Sequence, residues 1–101
     1  MKVVNKKTKE YLIKCPPLIV HKMLDEYMLP SPTKEIIVAA CIHGLDVYQS
    51  LDWLARKHQI HISRWQFSRK LGEGLEKFYN THTFLGRDLQ TFFTGINPKQ
   101  R

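Results

Sequence analysis

The fold prediction starts from residues 48–71, YQSLDWLARKHQIHISRWQFSRKL. Its apolar side chains recur at helical spacing in two groups, one on each side of a short polar segment: Leu51, Leu54 and Ala55, then Phe67 and Leu71. The pattern predicts two amphipathic helices, the first from residue 47 to about residue 59 and the second from residue 64. The inward face of the second helix continues from Phe67 and Leu71 to Leu75 and Phe78.

The segment between these helices carries the signals of a tight corner. Ile60 and Ile62 are expected to point inward from a turn. Ser63 and Gln66 match the capping box, in which the serine side chain accepts a hydrogen bond from the Gln66 backbone and the glutamine side chain reaches back. The small Ala55 fits a place where two helices cross closely. Together these features predict a helix-turn-helix, although its turn is about two residues longer than the tightest version.

Three further helices are expected around this pair. Residues 17–29 and 32–44 each show an apolar stripe, and a last helix is predicted for residues 84–93 after a break at 80–83. Ser31 is expected to cap the second helix, with Pro32 at its first position, while Gly44 ends it and Asp46 caps the third. The predicted class is all-α, with about five helices and no strand.

The chain length predicts one domain over residues 1–101, with residues 1–14 as a flexible or extended basic arm. Gly72 and Gly74 leave two interpretations open, since they mark either a close helix crossing or an early end of the fourth helix. No run of about 18 apolar residues is present, so a membrane partner is not expected. Two cysteines and no secretory signal predict a reduced, cytoplasmic setting.

The charge of the chain favours a polyanionic partner. Sixteen Lys and Arg against nine Asp and Glu give a formal net charge of +7. Residues 56–70 contain no acid, and residues 2–14 hold five lysines and one glutamate. DNA, RNA or an anionic surface would each satisfy this balance.

The outward face of the predicted second helix concentrates groups that bind DNA. Arginine and lysine can donate to guanine, glutamine can pair with adenine, and a helix start can hold a phosphate. The alternative is a plain helical hairpin with a basic outer face. The candidate DNA-binding residues are Arg56, Lys57, Ser63, Arg64, Trp65, Gln66, Arg69 and Lys70.

Two short stretches resemble a known family. Residues 67–75, FSRKLGEGL, resemble the Phe-Ser-x-x-Leu-Gly-x-x-Leu stretch of the adhesin-biosynthesis regulators of fimbrial operons, the PapB type. Residues 85–94, LGRDLQTFFT, are similar to the ending of that family. The resemblance spans about residues 25–95 and departs from the pattern around residues 79–84. It implies a transcriptional regulator that oligomerises on A/T-rich sites near fimbrial or plasmid-borne promoters.

The sequence contains no candidate residues for catalysis or for a metal site. The pairs His58/His61 and Cys41/His43 lack a third ligand at suitable spacing, so these histidines are expected to be solvated or at the core edge. We therefore expect no enzyme, cofactor, metal or small-molecule substrate. The expected function is a DNA-binding transcriptional regulator that is associated with the bacterial nucleoid in the cytoplasm. The alternatives are a protein-interaction adaptor or inhibitor and a small RNA-binding protein.

Assembly into a homodimer or higher oligomer is expected from apolar surface in the terminal helices. Phe92 is in phase with Leu89, but Phe93 lies off that stripe. Surplus apolar surface is normally buried between subunits. The residues assigned to this surplus are Met23, Tyr27, Met28 and Phe93.

Overall fold

Residues 2–87 are described by a computed structural model, and most of them are helical. The helices are α1 (Val3–Lys14), α2 (Pro17–Glu26), α3 (Thr33–Ile37), α4 (Val47–His58) and α5 (Arg64–Phe84), and a π-helical segment, Val38–Ile42, continues α3. This part of the chain contains no strand, so the predicted all-α class is confirmed.

Helix α5 is the element against which α1, α3 and α4 pack. Its 21 residues span about 31 Å at 1.5 Å per residue. One face is buried along its length, and the four apolar residues predicted to point inward are all on it. The buried residues are Phe67, Leu71, Gly74, Leu75, Phe78 and His82.

The predicted break at residues 80–83 is wrong, because α5 continues through them to Phe84. The Thr83 hydroxyl donates to the Tyr79 carbonyl oxygen at 2.9 Å, which keeps this polar residue compatible with the helix. A helix therefore does not begin at Phe84, since Phe84 ends α5 and residues 85–87 form a turn. The rest of the predicted helix 84–93 lies outside the described residues.

Of the two interpretations of the paired glycines, the close helix crossing is confirmed at Gly74. A Cβ placed there would lie 2.4 Å from Cγ2 of Thr33 and 3.0 Å from Cδ1 of Ile37. Only glycine lets the backbone of α5 approach α3 this closely. At Gly72 the nearest atom would be Nδ2 of Asn5 at 3.6 Å, which is ordinary contact.

The predicted extended arm is wrong, because residues 3–14 form α1. Its inner face consists of Asn5, Thr8, Tyr11 and Leu12, all buried against the rest of the fold. The Thr8 hydroxyl donates to the Val4 carbonyl at 2.8 Å, which satisfies one polar group of this face. The stripe begins with two polar residues, and for that reason the apolar pattern did not predict a helix.

The start of α3 differs from the prediction. Pro32 occupies the N-cap position, no side chain caps the helix, and the helix begins at Thr33. Ser31 donates to the Glu35 carboxylate at 2.7 Å instead of capping the backbone. The predicted stop at Gly44 agrees with its backbone, because φ is +64° there and glycine adopts that conformation without strain.

Two of the residues assigned to surplus apolar surface belong to the core. Met23 and Tyr27 are buried, so their assignment to a subunit interface is wrong. Met28 is 80% exposed, since the chain leaves α2 before it and takes a positive φ of 58° there. Among the described residues that were assigned to the surplus, Met28 is thus the one at the surface.

A buried polar cluster ties the end of α5 to α1 and α2. The imidazole of His82 lies 3.1 Å from the Tyr11 hydroxyl through Nε2 and 2.8 Å from the Tyr27 hydroxyl through Nδ1. Arg87 donates to Tyr27 at 3.0 Å and pairs with Glu26 at 3.5 Å. Arg87 can only donate, so the Tyr27 oxygen accepts from it, while the directions of the two hydrogen bonds of His82 depend on the tautomer of its ring.

Candidate nucleic-acid interface

Helix α4 is fixed at both ends by its own sequence. The Asp46 carboxylate accepts from the Gln49 backbone at 2.8 Å, and the Gln49 side chain accepts from the Asp46 backbone at 3.1 Å. The predicted cap at Asp46 is thus confirmed, as a complete capping box. At the other end Gln59 adopts a left-handed conformation with φ of 53°, which ends the helix.

Residues 59–63 connect α4 to α5 and turn the chain toward the core. The Ile60 backbone donates to the Leu54 carbonyl at 3.0 Å, which closes the end of α4. Ile60 and Ile62 are half-buried and pack against the core, as predicted. These contacts leave the polar residues of the connection on the outer side, next to the start of α5.

The start of α5 is set by the predicted capping box. Ser63 accepts from the Gln66 backbone at 3.1 Å, and the Gln66 side chain accepts from the Ser63 backbone at 2.9 Å. Phe67 and Leu71 then anchor the helix, since both are buried. The residues between these anchors face solvent.

The eight candidate residues lie at the end of α4 and at the start of α5. Arg56 and Lys57 lie in the last turn of α4, Ser63 is the cap of α5, and the others lie in the first two turns of α5. All are exposed except Lys70, which is half-buried. Five of the eight are Lys or Arg, so this surface is basic.

Two acids lie within ion-pair distance of this surface. Arg56 pairs with Asp52 one turn earlier in α4, and the Arg69 guanidinium lies 4.0 Å from the Glu73 carboxylate. Both pairs are exposed, and such pairs contribute little to stability. They would therefore separate at low cost if a stronger anion arrived.

Trp65 is exposed, as predicted, but it has a partner. Its side chain is 67% exposed, and the guanidinium carbon of Arg69 lies 4.9 Å from the centre of its ring. This distance is typical of a cation–π contact. Trp65 and Arg69 therefore form one surface unit.

Sequence reasoning missed Tyr48, which belongs to the same surface. It is 66% exposed in the first turn of α4, and its hydroxyl accepts a hydrogen bond from Arg64 at 2.6 Å. The Arg64 guanidinium carbon lies 5.8 Å from the ring centre. Sixteen residues separate the two, so no local spacing could have paired them.

The histidines near this surface lie at the core edge. Trp53 is half-buried, with the rings of His43 and His58 at centroid distances of 5.1 and 4.8 Å. A cleft of about 300 Å³ opens beside them and includes Lys34 and Glu35 in its walls. Within residues 2–87, no group of three or more His, Cys, Asp or Glu is arranged to hold a metal ion.

Both cysteines are buried and reduced. Burial raises the pKa of the Cys41 thiol to about 12, and it also raises the pKa of the Cys15 thiol. Because the thiolate is the reactive form, burial makes both cysteines poor nucleophiles at neutral pH.

In the described part of the chain, no helix is long and apolar enough to cross a membrane. No protein-family model, curated protein or solved structure matches the chain.

Proposed function

We propose that this protein is a transcriptional regulator that binds double-stranded DNA through a helix-turn-helix made by α4 and α5. The observation that carries the proposal is the exposed basic surface over the last turn of α4 and the first two turns of α5. In such a motif the N-terminal residues of the second helix contact the bases.

Each part of the surface has a role in this proposal. Arg69, Lys70 and Gln66 lie where a reading helix meets base edges, and Arg64 lies at the positive end of α5, where a phosphate is favoured. Arg56 and Lys57 flank this end from α4 and would contact the backbone of the duplex. Lys and Arg contacts to phosphate make binding depend steeply on salt.

Assembly and biological setting follow as further parts of the proposal. A single helix of this kind contacts few base pairs, and a symmetric dimer doubles the site. Phe93, which lies outside the described residues, is the proposed contact residue. The resemblance to the fimbrial regulators favours control of adhesin or plasmid-borne genes at the bacterial nucleoid.

A second candidate function is the binding of single-stranded nucleic acid, and Tyr48 is the observation that favours it. Single strands are bound on exposed aromatic rings beside basic residues. Trp65 alone would be weak support, but Tyr48 adds a second ring that is two-thirds exposed.

A mobility-shift titration tests these functions against each other. The probes are a 30-base-pair random-sequence duplex, one of its strands, and the RNA of the same sequence, each at two salt concentrations. We expect the duplex to bind most tightly, with an affinity that falls as salt rises. Preference for the single strand or RNA would favour the second candidate, and no binding to any probe would overturn both.

A further inference from the structure

The arginine of the Trp65–Arg69 unit lies between two partners on its own helix. Its guanidinium lies over the indole at 4.9 Å, and its Nε faces Glu73 at 4.0 Å. Both partners are on α5, so the side chain folds back along the helix instead of extending from it. About half of the Arg69 side chain remains exposed, so a ligand can reach it.

The neighbouring Arg64 is restrained in a similar way by the other helix. It donates to the Tyr48 hydroxyl at 2.6 Å and lies 5.8 Å from the centre of that ring. An arginine that is already ordered loses less side-chain entropy when it binds than one that is free to rotate. The first two turns of α5 thus present two ordered guanidinium groups.

The size of a helix decides which DNA groove it can enter. An α-helix with its side chains is about 10–12 Å across. The minor groove of a duplex is about 6 Å wide and the major groove about 12 Å. An arginine that reads a narrow minor groove would have to extend away from its helix, and the contact of Arg69 with Trp65 opposes this.

We infer that α5 enters the major groove and that Arg69, held by Trp65, recognises guanine there. The inference rests on the proposed duplex-binding function and adds the groove and the base to it. Guanine presents its N7 and O6 acceptors in the major groove, and the planar guanidinium matches both. Trp65 is a positioning residue in this account. The sites would then contain a guanine, unlike the purely A/T-rich sites that the family resemblance implies.

The test begins with selection of duplexes by the wild-type protein from a random library, followed by replacement of single bases. At the enriched guanine, 7-deazaguanine removes the N7 acceptor from the major groove, whereas hypoxanthine removes only the minor-groove amino group. We expect 7-deazaguanine to weaken binding at least about fivefold, within the range of one good base contact. Hypoxanthine should change the affinity less than about twofold, because it leaves the major-groove edge intact.

The protein variants are compared by the ratio of affinities for the guanine and 7-deazaguanine duplexes, which partial unfolding does not change. Trp65→Ala and Arg69→Lys should reduce this ratio to near one, while Trp65→Phe, which keeps a stacking ring, should preserve it. A ratio that survives in Trp65→Ala, a larger effect of hypoxanthine, or enrichment of A/T-only sites overturns the inference and leaves duplex binding intact. Absence of any duplex binding overturns the proposed function, and the inference with it.

Discussion

Replacement of Gly74 by alanine tests the helix crossing on which the fold depends. The new methyl group would lie 2.4 Å from Thr33 Cγ2 and 3.0 Å from Ile37 Cδ1, whereas carbon atoms normally approach to about 3.5–4.0 Å. Ile37 is fully buried, so a shift of its side chain would disturb the residues packed around it. Overpacking of this kind costs about 1–3 kcal/mol, and this contact belongs in the upper half of that range.

The matched control is Gly72→Ala on the same helix, where the new methyl meets only ordinary contact at 3.6 Å. Alanine is better than glycine in a helix by about 1 kcal/mol, and both variants gain this. We expect Gly72→Ala to stabilise the protein by up to about 1 kcal/mol and Gly74→Ala to destabilise it by about 1–2 kcal/mol.

Urea denaturation followed by circular dichroism measures both free energies of unfolding. Adding Thr33→Ser to Gly74→Ala removes the methyl group that is nearest to the new Cβ, so it should recover part of the loss. If Gly74→Ala is as stable as Gly72→Ala, the close approach of α3 and α5 is refuted. If both are destabilised equally, the loss comes from the helix itself and not from the crossing.

Three further predictions concern the core, the thiols and assembly. Phe67→Ala and Leu71→Ala should each lower the free energy of unfolding by about 2–5 kcal/mol in urea denaturation, since both side chains are buried; unchanged stability would contradict the assigned inner face of α5. Burial raises the pKa of Cys41 from 9.0 to about 12. The contribution of the buried, protonated thiol to the free energy of unfolding is therefore complete below pH 9 and is lost as the pH rises toward 12. The loss is about 1.4 kcal/mol per pH unit within that range, and Cys41→Ala should remove that part of the pH dependence; an unchanged slope between pH 9 and 11 would show that this thiol is not the cause. Phe93→Asp should convert a dimer to a monomer in sedimentation equilibrium, whereas a wild-type protein that is monomeric at tens of micromolar would contradict the proposed dimer.

The features that could be predicted from the sequence depend on residues close together in the chain. The capping boxes at Asp46 and Ser63 require only residues three apart, and the apolar residues from Phe67 to Phe78 recur at the spacing of a helix. Burial of the two isoleucines in residues 59–63 followed from their position between two helices. Local hydrogen bonding and periodicity were sufficient in these cases.

The features that it missed depend on contacts between distant residues. Helix α1 packs through Asn5 and Thr8, which count as polar in any hydrophobic pattern. Residues 80–83 look like a break, but His82 is buried among Tyr11 and Tyr27 and keeps the helix intact. No spacing rule connects residues 71 or 55 positions apart.

The candidate site also contains features that could be predicted and features that could not. Its basic residues and Trp65 could be predicted, because charge and helical phase show which side chains face outward. The contacts that the arginines make could be predicted only where the partner is on the same helix. Arg69 lies one turn from Trp65, but Arg64 reaches Tyr48 on another helix, and only the packing of α4 against α5 brings them together.

Binding of duplex DNA by the start of α5 is tested by comparing replacements near the two ends of this helix. Fluorescence anisotropy with a labelled 30-base-pair random duplex measures the affinity of wild type, Arg69→Ala and Lys77→Ala. Both replacements remove one exposed positive charge from α5, but Lys77 lies toward the other end of the helix. We predict that Arg69→Ala weakens binding several-fold, as the loss of one base contact should, while Lys77→Ala changes the affinity less than about twofold. Equal losses from the two variants would contradict the claim that this end of α5 meets the DNA.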